Sequence, residues 1–215
     1  MQVTELGSTK TFIANTSQLD TIGELRYQAY FSAKAIDKLE DQIFLDKYDH
    51  QSNSINHIAT YDDEIVGAIR GCIYDPTDIL SLSIPALEIF NRELETEVGL
   101  ESKIFESCRF VVHPTLKKAF YTNIALIKSS CLLSYISDCD HSITAVRESH
   151  VGFYEKMGFH RCSDPKVYPG LKIKMVLLLA KQSKSLMDNY KSTFKLLAQT
   201  ESERKNYLAC LGQLH

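Results

Sequence analysis

Residues 104–136 read IFESCRFVVHPTLKKAFYTNIALIKSSCLLSYI, and this stretch decides the fold. Its first nine residues are mostly apolar and rich in β-branched and aromatic side chains, which predicts a buried strand over residues 104–112. His113 and Pro114 end that strand, and the long apolar run behind them predicts a helix over residues 116–136. A buried strand followed after a short turn by a long helix indicates a sheet with a helix packed on it.

Further strands are predicted where short β-rich runs are bounded by turn residues. These runs are residues 57–61, 64–74, 142–146 and 172–179. Helices are predicted where apolar residues recur at helical spacing between capping and stop residues. The first segment follows Asp20 and Thr21, the second covers residues 84–94, and the third runs from Ser149 through Met157. The order of the elements, with two crossovers, predicts the α/β class, a mixed sheet flanked by helices.

The C-terminal part of the chain has a different composition. Beyond Ala180 the sequence becomes polar, with a few apolar residues spaced three or four apart. These apolar residues are Leu186, Tyr190, Phe194 and Leu197. The spacing predicts an amphipathic C-terminal helix that packs on the domain itself, forms a dimer contact or is a loose tail. We therefore expect one domain over residues 1–180 and a helical extension over residues 181–215.

Composition and charge argue against several classes of protein. The 215 residues are 44% hydrophobic and 24% charged, which is typical of a globular chain with a sizeable core. A net charge of −3, without basic runs interleaved with aromatic residues, argues against nucleic-acid binding. We expect a cytoplasmic protein, because no apolar run is long enough for a membrane span or a signal peptide. The six cysteines have neither metal-ligand nor disulfide spacing, so free thiols and no metal site are expected.

Four motifs follow one another along the chain, and their order and spacing carry more information than any one of them. They are LRYQAY at residues 25–30 with LDKYD at 45–49, GAIR at 67–70, FESCRF at 105–110, and RESHVGFYEKMGF at 147–159 with YPG at 168–170. Over residues 20–180 they resemble the N-acyl amino acid synthases of the FeeM type and, more distantly, the acyl-homoserine lactone synthases. Both families belong to the GCN5-related N-acyltransferase (GNAT) superfamily.

This resemblance implies a fold and a reaction. The implied fold is a mixed sheet splayed between the strands at residues 104–112 and 142–146, with the pantetheine arm of the acyl donor in the gap. The implied reaction moves an acyl group from an acyl-phosphopantetheine thioester, as a co-substrate, to an amine, without a permanently bound cofactor. The fourth motif favours the FeeM type over the lactone synthases. Cys108 stands where both families usually carry serine.

The turn before the long helix bears on the acyl donor. Acetyl-CoA enzymes of the superfamily usually have a glycine-rich turn there, because bare N–H groups must approach the pyrophosphate. This chain has no glycine from His113 to Phe120, but the helix start and two lysines would suit the single phosphate of an acyl carrier protein. The donor-binding residues are thus expected to be Val111, His113, Lys117 and Lys118. The alternative is that both lysines are merely solvated.

The catalytic residues are expected to be Glu106 and Tyr154. Glu106 lies in an apolar strand, where burial raises the pKa of a carboxyl group and suits it to accept the amine proton. Alternatively, it is the structural partner of a neighbouring arginine. Strict alternation places Arg109 on the opposite face of the strand from Glu106 unless a bulge intervenes. Tyr154 corresponds, by resemblance, to the tyrosine that protonates the leaving thiolate, and its alternative role is core packing.

Five residues are expected to bind substrate: Arg26, Arg70, Arg109, Asp46 and Asp49. A guanidinium group matches a carboxylate bidentately, so Arg26 and Arg70 suit the carboxylate of an amino-acid acceptor. The two aspartates either brace a loop by accepting backbone N–H bonds or attract an ammonium group.

The acyl chain and the acceptor leave alternatives open. We expect a long acyl chain, an acyl carrier protein as partner and a small amine as acceptor. A long chain needs a blind apolar tunnel beside the splayed strands, whereas an acetyl group does not. Two other functions fit the same motifs: an acetyl-CoA-dependent transferase for a small amine or a protein, and a catalytically silent acyl-binding sensor.

Overall fold

The computed structural model of the chain describes residues 2–80, 82–117, 119–182 and 195–212. The strands of this part are β1 (Gln2–Leu6), β2 (Thr9–Ile13), β3 (Ser54–Tyr61), β4 (Glu64–Tyr74), β5 (Ile104–Val112), β6 (His141–Val146), β7 (His160–Arg161), β8 (Lys166–Val167) and β9 (Lys174–Lys181). Its α-helices are α1 (Leu19–Ser32), α2 (Leu87–Glu97), α3 (Ala119–Ile136), α4 (Val151–Glu155) and α5 (Glu201–Leu211). No helix in these ranges is both long and apolar enough to cross a membrane.

The strands form one mixed sheet in the order β1-β2-β3-β4-β5-β6-β9-β7, with β8 paired to β9. Only β5 and β6 run parallel, and every other recorded pair is antiparallel. The two faces of the sheet carry different helices. Gly67 of β4 faces α3, whereas the next residue, Ala68, packs with Ile22 and Leu25 of α1. The predicted mixed sheet flanked by helices is therefore confirmed.

The sheet opens between β5 and β6, as the resemblance implied. The two strands pair only from Ile104 with His141 to Ser107 with Thr144. At the last pair, the Thr144 hydroxyl donates a hydrogen bond of 2.9 Å to the Ser107 carbonyl oxygen. Beyond that point β5 continues to Val112 without a partner on this side. The backbone groups of the gap are thus free to meet a ligand.

Two glycines of β4 allow α3 to lie close against the sheet. A Cβ atom at Gly67 would stand 2.8 Å from Leu126 Cδ1, and one at Gly71 would stand 2.7 Å from Leu133 Cδ2. Such distances are too short for carbon atoms in contact, so a side chain at either position would displace the leucine that packs on it. The glycine of the GAIR motif therefore has a packing role.

Several predicted elements match the structure, and others were missed. The hairpin of β3 and β4 and the strand at residues 104–112 are confirmed, whereas α3 begins three residues later than expected. The edge hairpin β1–β2 and the short strands β7 and β8 were not predicted. The edge hairpin buries threonines beside the alkyl side chains of Val3 and Ile13. Thr4 Oγ1 lies 2.8 Å and Ser129 Oγ 2.7 Å from Thr11 Oγ1. Gly7, which has a φ of +59° at the turn, was the sequence signal that could have indicated this hairpin.

The C-terminal region lies partly outside the described residues. The predicted helix residues Leu186, Tyr190 and Phe194 fall there, whereas Leu197 is buried in a short 3-10 helix, Lys195–Leu197. Farther on, α5 packs on β1 and α3. The division of the chain at residue 180 and a dimer contact through this region both stay predictions.

Candidate active site

The gap between β5 and β6 forms a cleft, which offers about 250 Å³ to the centre of a water-sized sphere. Its walls include the part of β5 from Ser107 to Val112, the start of the α4 region, and the C-terminal half of α1. Of the expected donor-binding residues, Val111 lines this cleft. His113 and the exposed Lys117 lie beyond the end of β5, outside the lining, and Lys118 falls outside the described residues.

Asp46 links two of the arginines at one side of the site. Arg70 donates to both carboxylate oxygens of Asp46, at 2.6 and 3.1 Å. Arg109 donates from Nε and Nη2 to Asp46 Oδ2, at 3.0 and 2.7 Å. Asp46 also caps the 3-10 helix Lys47–His50 by accepting the Tyr48 N–H at 3.0 Å. The loop-bracing role expected for this aspartate is therefore present, together with two ion pairs.

Asp49 holds the third arginine. Arg26 Nη1 lies 2.8 Å from both oxygens of Asp49, and Arg26 Nη2 donates to Asn56 Oδ1 at 2.7 Å. Arg70 Nη1 also lies 2.8 Å from Asp49 Oδ1. The side chains of Arg26, Arg70 and Asp49 are fully buried. The terminal nitrogens of Arg26 and Arg70 are thus already paired, so their binding of an acceptor carboxylate stays a prediction.

The charges of this network shift the pKa values of its carboxyl groups. Burial alone would raise the pKa of Asp46, but its hydrogen bonds and charge interactions with Arg70 and Arg109 hold it well below the usual range. The pKa of Asp49 is lowered in the same way, against its burial, by the charges of Arg26 and Arg70. Both aspartates are therefore ionised near neutral pH.

A β-bulge in β5 turns Arg109 toward this network. The register between β4 and β5 shifts between Ala68 and Arg70, and Arg109 has a φ of +54°. The extra residue lets Arg109 join Arg70 at Asp46 on the face that carries Glu106. Strict alternation therefore fails at Arg109, and the bulge is the physical reason.

Glu106 is fully buried between two hydrogen-bond donors. Its Oε1 accepts from the Tyr168 hydroxyl at 2.5 Å, and its Oε2 accepts from the Ala86 N–H at 2.9 Å. No guanidinium or ammonium group of the described residues forms an ion pair with it. Burial raises the pKa of Glu106 to about 8, with a smaller contribution from Cys108. A carboxyl group with such a pKa readily accepts a proton near neutral pH.

Cys108 lies next to Glu106 on the same face and lines the cleft. Its Sγ accepts a hydrogen bond from Arg70 Nε at 3.4 Å and lies 4.0 Å from Cys72 Sγ. Burial would raise the pKa of the Cys108 thiol, but the Cys72 thiol and the Arg70 charge lower it below the usual range. The charge of Arg70 thus stabilises the thiolate form of this buried thiol.

Tyr154 stands where the cleft meets a second cavity. This α3 cavity lies between α3 and the sheet and offers about 40 Å³ to the centre of a water-sized sphere. Its apolar lining includes Ile69, Phe105, Ile127, Ile143, Met157 and Phe159. Ser107, Thr144 and Tyr154 line both spaces. Burial raises the pKa of the Tyr154 hydroxyl to about 12, so this group keeps its proton at neutral pH.

Tyr168 is the candidate site residue that motif reasoning missed, although the YPG motif contains it. It lines the cleft, donates to Glu106, and its ring lies 5.5 Å from the guanidinium carbon of Arg109. The structure thus brings Tyr154 and Arg109 to one cleft, together with Cys108 and Tyr168, and it buries Glu106 behind Tyr168. Arg26 and Asp49 lie behind them as supports.

Comparison with known proteins agrees with this geometry. The family model described as N-acyl amino acid synthase FeeM matches residues 21–181. No curated protein matches the sequence significantly.

Solved structures match over most of the chain. The structure of FeeM, an N-acyl amino acid synthase from uncultured soil microbes, is 15% identical with a TM-score of 0.68, covering 89% of this chain and 98% of that one. The AHL synthase LasI is 16% identical with a TM-score of 0.65, covering 87% and 95%. An acyl-CoA N-acyltransferase from Pseudomonas aeruginosa is 11% identical with a TM-score of 0.54, covering 80% and 99%. At these identities the structural likeness shows the fold.

The expected GNAT fold is therefore confirmed, and the family match extends over most of that fold. The chain is an N-acyltransferase and belongs to the FeeM family of N-acyl amino acid synthases.

Proposed function

We propose that this enzyme transfers a long-chain acyl group from the thioester of an acyl carrier protein to the amine of an amino acid. The observation that carries the proposal is the α3 cavity, an apolar space between α3 and the sheet that shares Ser107, Thr144 and Tyr154 with the cleft. An acetyl group needs no such space. The volume open to the centre of a water-sized sphere is small in any narrow channel, because that centre can move only along the axis of the channel.

The shared wall of the two spaces suits the reacting thioester. With pantetheine in the cleft and the acyl chain in the α3 cavity, the thioester lies near Ser107, Thr144 and Tyr154. The Tyr154 hydroxyl keeps its proton until a strong base appears. It therefore supplies the proton that the departing thiolate needs.

The proton of the amine goes to Glu106 through Tyr168. Glu106 itself has no exposed surface, whereas Tyr168 lines the cleft and already donates to Glu106. The phenol can pass its proton to the carboxylate while it takes one from the amine. The oxygen of the substrate finds a donor in Arg109 Nη1, which has no partner among the described residues and belongs to a residue that lines the cleft, whereas Arg26 and Arg70 do not line it.

The surface beyond the cleft suits an acidic carrier protein. Lys117 is exposed there, and Phe120 and Tyr121 at the start of α3 are 60% and 48% exposed. Exposed aromatic residues beside basic ones are typical of protein-binding surfaces. A docked carrier would hold its phosphopantetheine at the mouth of the cleft, with His113 and Lys118 as further expected contacts.

The direct test measures products. The purified enzyme is incubated with acetyl, octanoyl and palmitoyl thioesters of an acyl carrier protein and with pooled amino acids, and N-acyl products are identified by mass spectrometry. We expect long-chain N-acyl amino acids. Absence of any product, or equal use of acetyl-CoA, would contradict the proposal, and acyl binding without turnover would indicate a silent sensor.

A cavity variant tests the position of the chain. Ile127→Phe narrows the α3 cavity, whereas Ile124→Phe adds the same bulk to the same helix outside the lining. Each methylene group kept out of an apolar site costs about 0.8 kcal/mol, or about fourfold in kcat/KM. Ile127→Phe should therefore lower palmitoyl transfer far more than acetyl transfer. The same chain-length profile in both variants would place the acyl group elsewhere.

A further inference from the structure

We propose that Arg147 and His150 bind the phosphate of the phosphopantetheine arm at the mouth of the cleft. This inference rests on the proposed function, because it concerns the acyl donor of the same reaction. It places the phosphate at the turn after β6 rather than at the turn after β5, where the glycine-free sequence between His113 and Phe120 had suggested it.

Arg147 and His150 line the cleft just after β6 ends at Val146. Arg147 continues the extended backbone of that strand, with a φ of −64° and a ψ of 148°, and its carbonyl oxygen accepts the His150 N–H at 2.9 Å. This tight turn keeps the two residues close together at the end of the gap where β5 and β6 no longer pair. The cleft lining thus includes cationic and N–H-donating side chains after β6, but not His113 or Lys117 after β5.

The mouth of the cleft carries a positive charge that has no counterion. Neither aspartate nor glutamate is among the described residues that line the cleft, whereas Arg109 and Arg147 both line it. Arg109 is paired with Asp46, but the guanidinium group of Arg147 has no hydrogen bond or ion pair within the described part of the chain. The acid next to it in sequence, Glu148, forms an ion pair of 2.6 Å with Arg161 instead. An anion at the mouth would therefore meet an unpaired cation and no carboxylate of the lining.

The length of the phosphopantetheine arm brings its phosphate to this point. About thirteen bonds separate the thioester sulfur from the phosphorus, and an extended chain of that length spans about 15 Å, at roughly 1.2 Å per bond. The proposed thioester position lies beside Thr144, and the extended backbone from Thr144 to Arg147 covers about 10 Å. The long side chain of Arg147 reaches several ångströms farther. With the arm extended along β6, the phosphate therefore comes within reach of Arg147 and of the neighbouring His150.

The two side chains suit a phosphate chemically. A guanidinium group donates two parallel hydrogen bonds to a pair of phosphate oxygens, and an imidazole adds a further N–H donor. Coenzyme A and an acyl carrier protein both carry pantetheine on such a phosphate, so Arg147 and His150 would recognise the group that the two donors share. Because the phosphate stays far from the bond that breaks, this contact should lower the KM for the donor and leave kcat unchanged.

The experiment compares two thioesters that differ only in the phosphate, octanoyl-pantetheine and octanoyl-4′-phosphopantetheine. Calorimetry without acceptor gives the Kd of each for wild type, for Arg147→Gln, and for a double variant that combines it with His150→Gln. Because hydrogen bonds between charged groups are the strong ones, we expect wild type to bind the phosphorylated compound at least about tenfold more tightly. This preference should shrink in Arg147→Gln and disappear in the double variant.

Two controls accompany the comparison. Octanoyl-pantetheine should bind wild type and both variants equally, which also shows that the variants fold. Lys156→Gln is the matched control variant, because Lys156 is an exposed cation shortly after His150 that does not line the cleft. It should keep the preference of the wild type for the phosphorylated compound.

Turnover with pooled amino acids then compares octanoyl-CoA with the octanoyl thioester of a carrier protein. The double variant should raise KM for both donors and leave kcat near its wild-type value, and the donor with the higher wild-type kcat/KM is the source of the phosphate. The octanoyl thioester of N-acetylcysteamine, which ends before the phosphate, should be used equally by wild type and the double variant.

Three results would overturn the phosphate site: wild type without preference for the phosphorylated compound, an unchanged preference in the double variant, or a loss confined to one of the two natural donors. In each case the proposed function stands as long as product is made. A phosphate preference that the double variant loses, without product from any donor, would instead overturn the proposed function and leave the phosphate site. Binding of neither compound, together with no product, would overturn both.

Discussion

Replacing Glu106 with glutamine tests whether the buried carboxyl group is the base. The side chain keeps its shape, and its amide can still accept from Ala86 and hydrogen bond to the Tyr168 hydroxyl, which also accepts. Only the ionisable group is lost. Loss of a general base lowers the rate by about 10²- to 10⁴-fold, so we expect E106Q to fold and to lose turnover by that factor.

The same variant should change how stability depends on pH. Burial raises the pKa of Glu106 from 4.5 to about 8 in the folded state. Below 4.5 the carboxyl is protonated in both the folded and the unfolded chain, so its contribution to stability is fully present. As pH rises toward 8, the unfolded chain releases its proton first and the wild type loses about 1.4 kcal/mol of stability per pH unit. The whole interval amounts to about 5 kcal/mol.

Urea unfolding of wild type and E106Q at about pH 5 and about pH 9 measures this difference. We expect E106Q to gain on the wild type as pH rises, because the amide has no charge to bury. Glu88→Gln is the matched control: its half-exposed carboxylate is hydrogen bonded to Lys47 and Tyr48, and its pKa is lowered. It should lose nearly the same stability relative to wild type at both pH values, because the Glu88 carboxyl is largely ionised in the folded and the unfolded chain at about pH 5 and above. A stability difference between E106Q and wild type that is the same at both pH values would refute the raised pKa.

Three further outcomes are expected. Tyr154→Phe removes the phenolic proton, so turnover should fall while calorimetry shows unchanged thioester binding; unchanged turnover across pH would leave Tyr154 a packing residue. Asp49→Asn leaves two buried guanidinium groups short of an anion and should lower the free energy of unfolding by about 3–5 kcal/mol, measured with urea; a loss within experimental error would mean that the arginines find other partners. Lys117→Glu combined with Lys118→Glu should raise KM for the carrier-protein thioester in a salt-dependent way and spare the N-acetylcysteamine thioester; equal losses on both donors would show that these lysines do not dock a carrier.

The central strand and hairpin were predictable because their signals are local. The strand over Ile104–Val112 is an apolar run stopped by Pro114, and both of its ends were predicted correctly. The start of α3 was not predicted correctly, because it depends on how the turn after His113 packs. The edge hairpin was not predicted because its buried Thr4 and Thr11 are polar. They form hydrogen bonds inside the protein, and an apolar periodicity does not reveal such residues as buried.

The site was predictable as a set of residues but not as a set of contacts. The motifs named the arginines and aspartates, yet Arg26 meets Asp49 and Arg109 meets Asp46 only through the folded loop. The bulge depends on the register of two strands, which a single strand sequence does not reveal. The contact of Tyr168 with Glu106 joins residues 62 positions apart, and it could not be predicted from the sequence either.

The contact between β1 and α5 can form only when almost the whole chain has been synthesised. Tyr207 of α5 is buried against His57 of β3, with their side chains 2.5 Å apart, and it shares a core cluster with Val3 and Leu132. That cluster stays incomplete while the ribosome still holds the residues around Tyr207. The part of β1 that packs on α5 therefore stays uncovered during almost the entire synthesis, and that of α3 from its own synthesis until α5 is complete. Premature termination anywhere before α5 would release a chain with an exposed apolar surface. Chaperones and proteases can recognise that surface before any acyl group is bound.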